Sequence, residues 1–127
     1  MGKPISRPKT RVLEYSNGDI YSGHIQNRSR NGQGTYYHRN KDRYEGTWFN
    51  DRMHGYGIMY YNTGELYIGH WVDNKRQGYG MHFYAKGERY VGNWENSKKH
   101  GLGKIYLIDG SVYEGNFFES RKDGNGI

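Results

Sequence analysis

The chain has 127 residues, the length of one folding unit, and its 33% hydrophobic content, mean hydropathy of −1.15 and twenty glycines taken alone lean toward disorder. Cysteine is absent, which excludes a disulfide framework and any Cys-based metal site, and no apolar run is long enough to span a bilayer. The formal charge of +6 suits anionic partners, and fourteen Tyr, three Trp and four Phe supply the large buried areas that a thin layer needs to exclude water.

Residues 1–10 are basic, carry two prolines and lack an apolar h-region, so they read as a disordered lead and not as a secretory signal. Without such a signal the sequon Asn27-Arg28-Ser29 is incidental, and Gly2 with Ser6 is too small a match to indicate myristoylation. Residues 11–20 form a capping half-repeat, in which Tyr15-Ser16-Asn17-Gly18 matches Tyr61-Asn62-Thr63-Gly64.

From Tyr21 onward one pattern returns every 23 residues. Tyr21, Tyr44, Tyr67, Tyr90 and Tyr113 are each followed two residues later by glycine, and four residues later by Ile25, Trp48, Trp71, Trp94 and Phe117. The pairs Gly32/Gly34, Gly55/Gly57, Gly78/Gly80, Gly101/Gly103 and Gly124/Gly126 complete each copy. The repeats therefore run 21–43, 44–66, 67–89, 90–112 and 113–127, the last incomplete.

Each repeat divides into two strands. The first is Tyr-x-Gly-x-Trp, in which alternate residues share a face. A polar segment such as Glu95 to His100 follows, and the Gly-x-Gly opens a second strand such as Lys104 to Ile108. Asp109-Gly110 and its equivalents are hairpin turns. The central glycine leaves room for aromatics to lie across it, and the Gly-x-Gly supplies a bend or bulge. Tyr37, Tyr60, Phe83 and Tyr106 form a second aromatic column. The expected fold is all-β: an elongated single-layer antiparallel meander of stacked hairpins, with about ten strands spaced about 4.8 Å apart. Ile25 and Lys41 depart from the pattern, and the stop at Ile127 predicts an open strand edge, met by further chain or by a second copy.

Tyr44-Glu45-Gly46-Thr47-Trp48 through Gly55-Tyr56-Gly57, with equal matches from Tyr67 and Tyr90, resembles the MORN (membrane occupation and recognition nexus) repeat. The likeness covers residues 11–127. It implies a hairpin array with no chemistry of its own, found in scaffolds of cytoskeletal and ciliary assemblies, in junctophilins, and beside the catalytic domain of lipid kinases.

No catalytic constellation stands out, and no cofactor or metal is expected. His54 and His100 share a column with Asn31, Gln77 and Asp123, and His24 and His70 with Thr47, Asn93 and Asn116, as solvated repeat positions would. Gly101-Leu102-Gly103-Lys104 lacks the upstream glycine, the Ser/Thr and the helix of a phosphate loop. Two candidate surfaces remain. Arg28, Arg30, Arg52, Lys75, Arg76, Lys98, Lys99, Arg121 and Lys122 fall in the polar segments and are expected to line one edge as an anionic-ligand ridge. Trp48, Tyr56, Tyr61, Trp71, Tyr79, Tyr84 and Trp94 are expected to form an aromatic groove for a helix or extended peptide.

The leading expectation is a cytoplasmic, non-enzymatic scaffold docking a protein partner in a cytoskeletal or ciliary assembly, with homodimerisation through the open edge. The alternatives are a phosphoinositide or anionic-membrane module using the ridge, and a targeting segment of a larger enzyme. Nucleic acid is not expected, since no recognised module is present.

Overall fold

The computed structural model describes residues 9–122. Its elements are all strands: β1 (Lys9–Glu14), β2 (Ile20–Gln26), β3 (Ser29–Tyr37), β4 (Arg43–Phe49), β5 (Arg52–Tyr60), β6 (Leu66–Val72), β7 (Lys75–Phe83), β8 (Arg89–Glu95), β9 (Lys98–Tyr106), β10 (Val112–Phe118) and β11 (Arg121–Lys122). They form one eleven-stranded sheet whose spatial order is the chain order, each strand antiparallel to its neighbours. This is the single-layer meander that the period predicts. β1 takes in Lys9 and Thr10, residues that the sequence assigned to the lead, and the Gly124/Gly126 pair and the edge expected at Ile127 lie outside the described residues.

The second strand starts earlier than its glycines suggest. The polar segment shrinks to a two-residue turn, because both turn residues take positive φ: Asn27/Arg28, Asn50/Asp51, Asp73/Asn74, Asn96/Ser97 and Glu119/Ser120. That backbone matches the twist of the flanking strands and closes the hairpin at once. The surplus length goes into a bulge. Gly69 pairs with Gly80, but Trp71 pairs with Arg76, so two steps on β6 face four on β7, and Gly78 takes φ 83° within the bulge. At the opposite edge, Gly110 N–H donates to Leu107 O at 3.0 Å and Leu107 N–H to Ser111 O at 2.8 Å, a turn that ends in a left-handed residue. Lys41 fills that left-handed place at φ 82° where other repeats have glycine.

The core is a file of rings on one face. Tyr21, Tyr44, Tyr67 and Tyr90 are fully enclosed, and Trp48, Trp71, Trp94 and Phe117 are at most 6% exposed. Tyr44 and Tyr67 each stand edge-on between two indoles, and Tyr90 between Trp94 and Phe117: Tyr67 is 5.1 Å from Trp71 of its own strand and 5.4 Å from Trp94 of the next repeat. Such edge contacts add about 0.5–1.5 kcal/mol each beyond burial. The phenol tips are satisfied locally, Tyr67 Oη donating to His70 O at 2.9 Å, and Trp71 Nε1 donates back to Gly57 O at 3.3 Å. The glycine crossing makes room for this. A Cβ on Gly69 would lie 2.6 Å from Gly80 Cα and 2.7 Å from Tyr67 Oη.

Successive repeats are also clasped through their turns. Arg30 N–H donates to Asp51 Oδ1, Met53 N–H to Asn74 Oδ1, Arg76 N–H to Ser97 Oγ and Lys99 N–H to Ser120 Oγ, at 2.8–3.1 Å. The same turn residues return a backbone bond, such as Ser97 N–H to Arg76 O at 3.0 Å.

Candidate partner-binding surface

Strand alternation separates the sheet into the face that holds the ring file and a face opposite to it. The early start of β3, β5, β7 and β9 decides where the basic residues go. Arg52, Lys75, Lys98 and Arg121 lead their strands, pair in register with Phe49, Val72, Glu95 and Phe118, and are exposed on the opposite face. Arg30, Arg76 and Lys99 come one residue later and turn onto the ring file. Arg30 Cζ lies 4.7 Å from the Trp48 ring, Arg76 Cζ 4.5 Å from Trp94, and Lys99 Nζ 5.7 Å from Phe117. Arg28 sits in the first turn, and Lys122 pairs with Phe117 in β11. The described cations therefore share the turn edge but not one face: adjacent strand residues point to opposite faces, and the expected ridge is divided between them.

The expected groove is divided in the same way. Trp48, Trp71 and Trp94 are buried in the ring file. Tyr61 and Tyr84 are half-buried at the margin of that face, their rings 5.8 Å and 4.5 Å from the ring of His82. Tyr56 and Tyr79 stand on the opposite face, 55% and 56% exposed. A tyrosine at a Gly-x-Gly centre shares no face with the tryptophan of its own repeat, because the flanking glycine already occupies that face.

The opposite face carries more apolar surface than the groove reading included. Among the described residues, ten strand positions carry exposed large hydrophobics, among them Val12, Phe49, Val72, Leu102 and Phe118, and all ten lie on this face. Half-buried Ile58, Ile68, Met81 and Val91 join them as direct cross-strand partners over β5–β8. Two hollows floored by the glycine crossings open here. One of about 590 Å³ is lined by Thr35, Glu45, Tyr56 and Ile58, and one of about 390 Å³ by Tyr79, Val91, Leu102 and Tyr106. Taking every second residue from each Tyr-x-Gly-x-Trp would have found this face in the sequence.

The ring face holds one polar residue that the sequence reading passed over. His82 occupies the column of Leu13, Tyr36, Met59 and Ile105 and is 5% exposed. Its Nε2–H donates to Glu65 Oε1 at 2.6 Å, and its Nδ1 accepts from Arg76 Nη1 at 3.3 Å, which assigns the neutral imidazole. Burial lowers its pKa against the opposing pull of the Glu65 carboxylate, with Arg76 and Lys99 adding to the lowering. Tyr36 is pushed up to about 12, by burial first and then by its bond to Asp19. Tyr36 Oη and Arg39 N–H in turn hold the Asp19 carboxyl below its usual range.

His54 and His100, expected to be solvated, are half-buried at their repeat positions, His54 Nδ1 lying 3.9 Å from Asp73 and His100 Nε2 3.2 Å from Glu95. Among the described residues no three His, Cys, Asp or Glu side chains are grouped so as to hold a metal, and no helix is long and apolar enough to cross a membrane.

The geometry of the repeat unit is a tyrosine edge-on to its neighbouring aromatic rings, a glycine crossing beneath it, and a bulged return strand. The MORN repeat family matches residues 21–43, 44–65, 67–89, 90–112 and 113–127. The chain belongs to the MORN-repeat family. MORN arrays are repeat modules of the scaffold or binding kind and are generally non-catalytic. No curated protein matches the chain significantly by sequence. Among solved structures the MORN sheet is similar to the TCP domain of Drosophila melanogaster SAS-4, in complex with a proline-rich motif of Ana2. The identity is 18% and the TM-score 0.55, over 90% of this chain and 69% of that one. That likeness is one of fold.

Proposed function

We propose that this MORN array is a non-enzymatic scaffold in a cytoskeletal or ciliary assembly of the cytoplasm, and that it holds a protein partner on the face opposite its ring file. One observation carries the reading: the exposed large hydrophobics of its strands lie on that face and no element of the described chain covers them. The SAS-4 domain, similar in fold, is seen in complex with a proline-rich motif, and this supports a protein segment as the partner. The aromatic anchors are Tyr56 and Tyr79, with Tyr61 and Tyr84 left as margin residues of the ring face.

The test replaces Tyr56 and Tyr79 together by serine, which leaves the ring file untouched. Cross-linking in the native cell is expected to lose its main protein partner while the melting temperature stays within a few degrees. An unchanged cross-linking pattern refutes this surface.

A second reading, contact with anionic lipid headgroups, draws support from the row Arg52, Lys75, Lys98 and Arg121, in register on that same face. Each such contact is worth about 1 kcal/mol at an anionic surface. Sedimentation with phosphatidylserine vesicles, repeated at raised salt, decides it: binding that Lys75→Glu with Lys98→Glu does not weaken speaks against the row.

A further inference from the structure

We infer that the segment docked on the opposite face is an amphipathic α-helix with an acidic flank, lying along the array and across strands β5 to β8. The inference rests on the protein-docking reading above and names the kind of partner it requires.

Three features carry it. The first is the direction of the apolar surface. Ile58, Ile68, Met81 and Val91 are partners in direct register from β5 to β8, so the row they form crosses the strands. Tyr60, Leu66 and Phe83 form a second row beside it. With strands about 4.8 Å apart the stripe is on the order of 15 Å long. The second is hydrogen bonding. Every strand under the stripe is paired on both sides, so its backbone has no bonds to offer a chain lying over it. An occupant that buries its own backbone on this stripe must close its hydrogen bonds internally. An α-helix does so, and its pitch of about 5.4 Å sets one apolar side chain near each strand interval.

The third feature is charge. Arg52, Lys75 and Lys98 follow one long side of the stripe on the same face. Asp73 lies 3.8 Å from Arg52, both groups more than half exposed, but neither Lys75 nor Lys98 has a carboxylate within ion-pair distance among the described residues. At its two ends the second row meets Arg43 and Arg89, which lie over Tyr60 and Tyr106 at 4.1 Å and 4.0 Å. The first row ends in paired charges, Glu45 beside Ile58 lying 3.0 Å from Arg43 and Lys104 beside Val91 lying 3.6 Å from Glu114, and Glu95, opposite Lys98 in register, reaches His100 at 3.2 Å. A helix with aspartate or glutamate toward the turn edge would find two unpaired ammonium groups, and a basic helix would be repelled there.

The experiment selects binders from a displayed library of random peptides about 20 residues long, using the full chain as bait. Binders are then measured against Ile68→Glu and against Lys75→Glu with Lys98→Glu, each variant first checked for an unchanged melting curve. The expected binders have apolar residues every three or four positions and an acidic flank, and they gain helical circular dichroism on binding. They are expected to lose about tenfold or more in affinity to either variant. Because Lys75 and Lys98 are exposed, their variant keeps the test decisive if Ile68→Glu disturbs folding. Extended, proline-rich or basic peptides that still depend on Ile68 overturn the inference and leave the docking reading standing. If no selected peptide depends on this face, whether or not anionic vesicles bind it, both fall.

Discussion

At Gly80 the missing Cβ is a steric requirement. A methyl group there would overlap Tyr67 Oη and lie 2.6 Å from its Cζ, and the ring cannot yield because Trp71 and Trp94 hold it on both sides. Gly80→Ala is therefore expected to cost about 1–3 kcal/mol, read from the urea midpoint, even though alanine is the smallest substitution available. Tyr67→Phe alone should cost about 1 kcal/mol through the lost bond to His70 O. Combined, the two should cost less than their sum, since the phenylalanine removes the atom closest to the new methyl group. Strict additivity would show that the crossing is not the contact that matters.

Between the strands, His82 is the position where a column of core residues changes character. The turn before β6 brings Glu65 to its margin and β7 presents His82 and Arg76, so a buried imidazole stands where the preceding repeat has Met59. The folded chain holds this imidazole neutral below the ordinary pKa of about 6.5, because burial outweighs the carboxylate. The unfolded chain takes up the proton as pH falls below about 6.5 and the folded chain does not, so stability is lost from there down through the folded pKa. Urea midpoints followed from about pH 7 to about pH 5 should fall less for His82→Met than for the parent. Identical slopes would mean that His82 does not set the acid limb. The turns are the other element-scale device: Asp51, Asn74, Ser97 and Ser120 accept the left-handed backbone and use their side chains to clasp the repeat before.

Over the described residues, contacts run between neighbouring strands and, through the ring file, from each repeat to the next, so stability accumulates repeat by repeat. Tyr44, Tyr67 and Tyr90 are flanked by rings on both sides, whereas Tyr21 faces Trp48 with Ile25 in place of a second ring. Hydrogen exchange should therefore be slowest in β4–β8 and faster in β1 and β2. Uniform protection along the sheet would indicate one cooperative unit. The same openness leaves the face opposite the rings uncovered, and function is proposed to reside there.

Much of this was legible in the residues. The 23-residue period, the Tyr-x-Gly-x-Trp alternation and the turn glycines determined strand content, order and family, because each is a local property that a repeat copies. The place of each candidate side chain was not legible. It depends on where the return strand begins, and that was settled by two non-glycine residues at positive φ and a bulge at Gly55, Gly78 or Gly101. A strand's side chains have a period of two, so a start one residue earlier or later sends each of them to the other face. Tertiary structure alone therefore separated Arg76 from Lys75 and Trp71 from Tyr79, enclosing the first of each pair among the rings and leaving the second free to meet a partner.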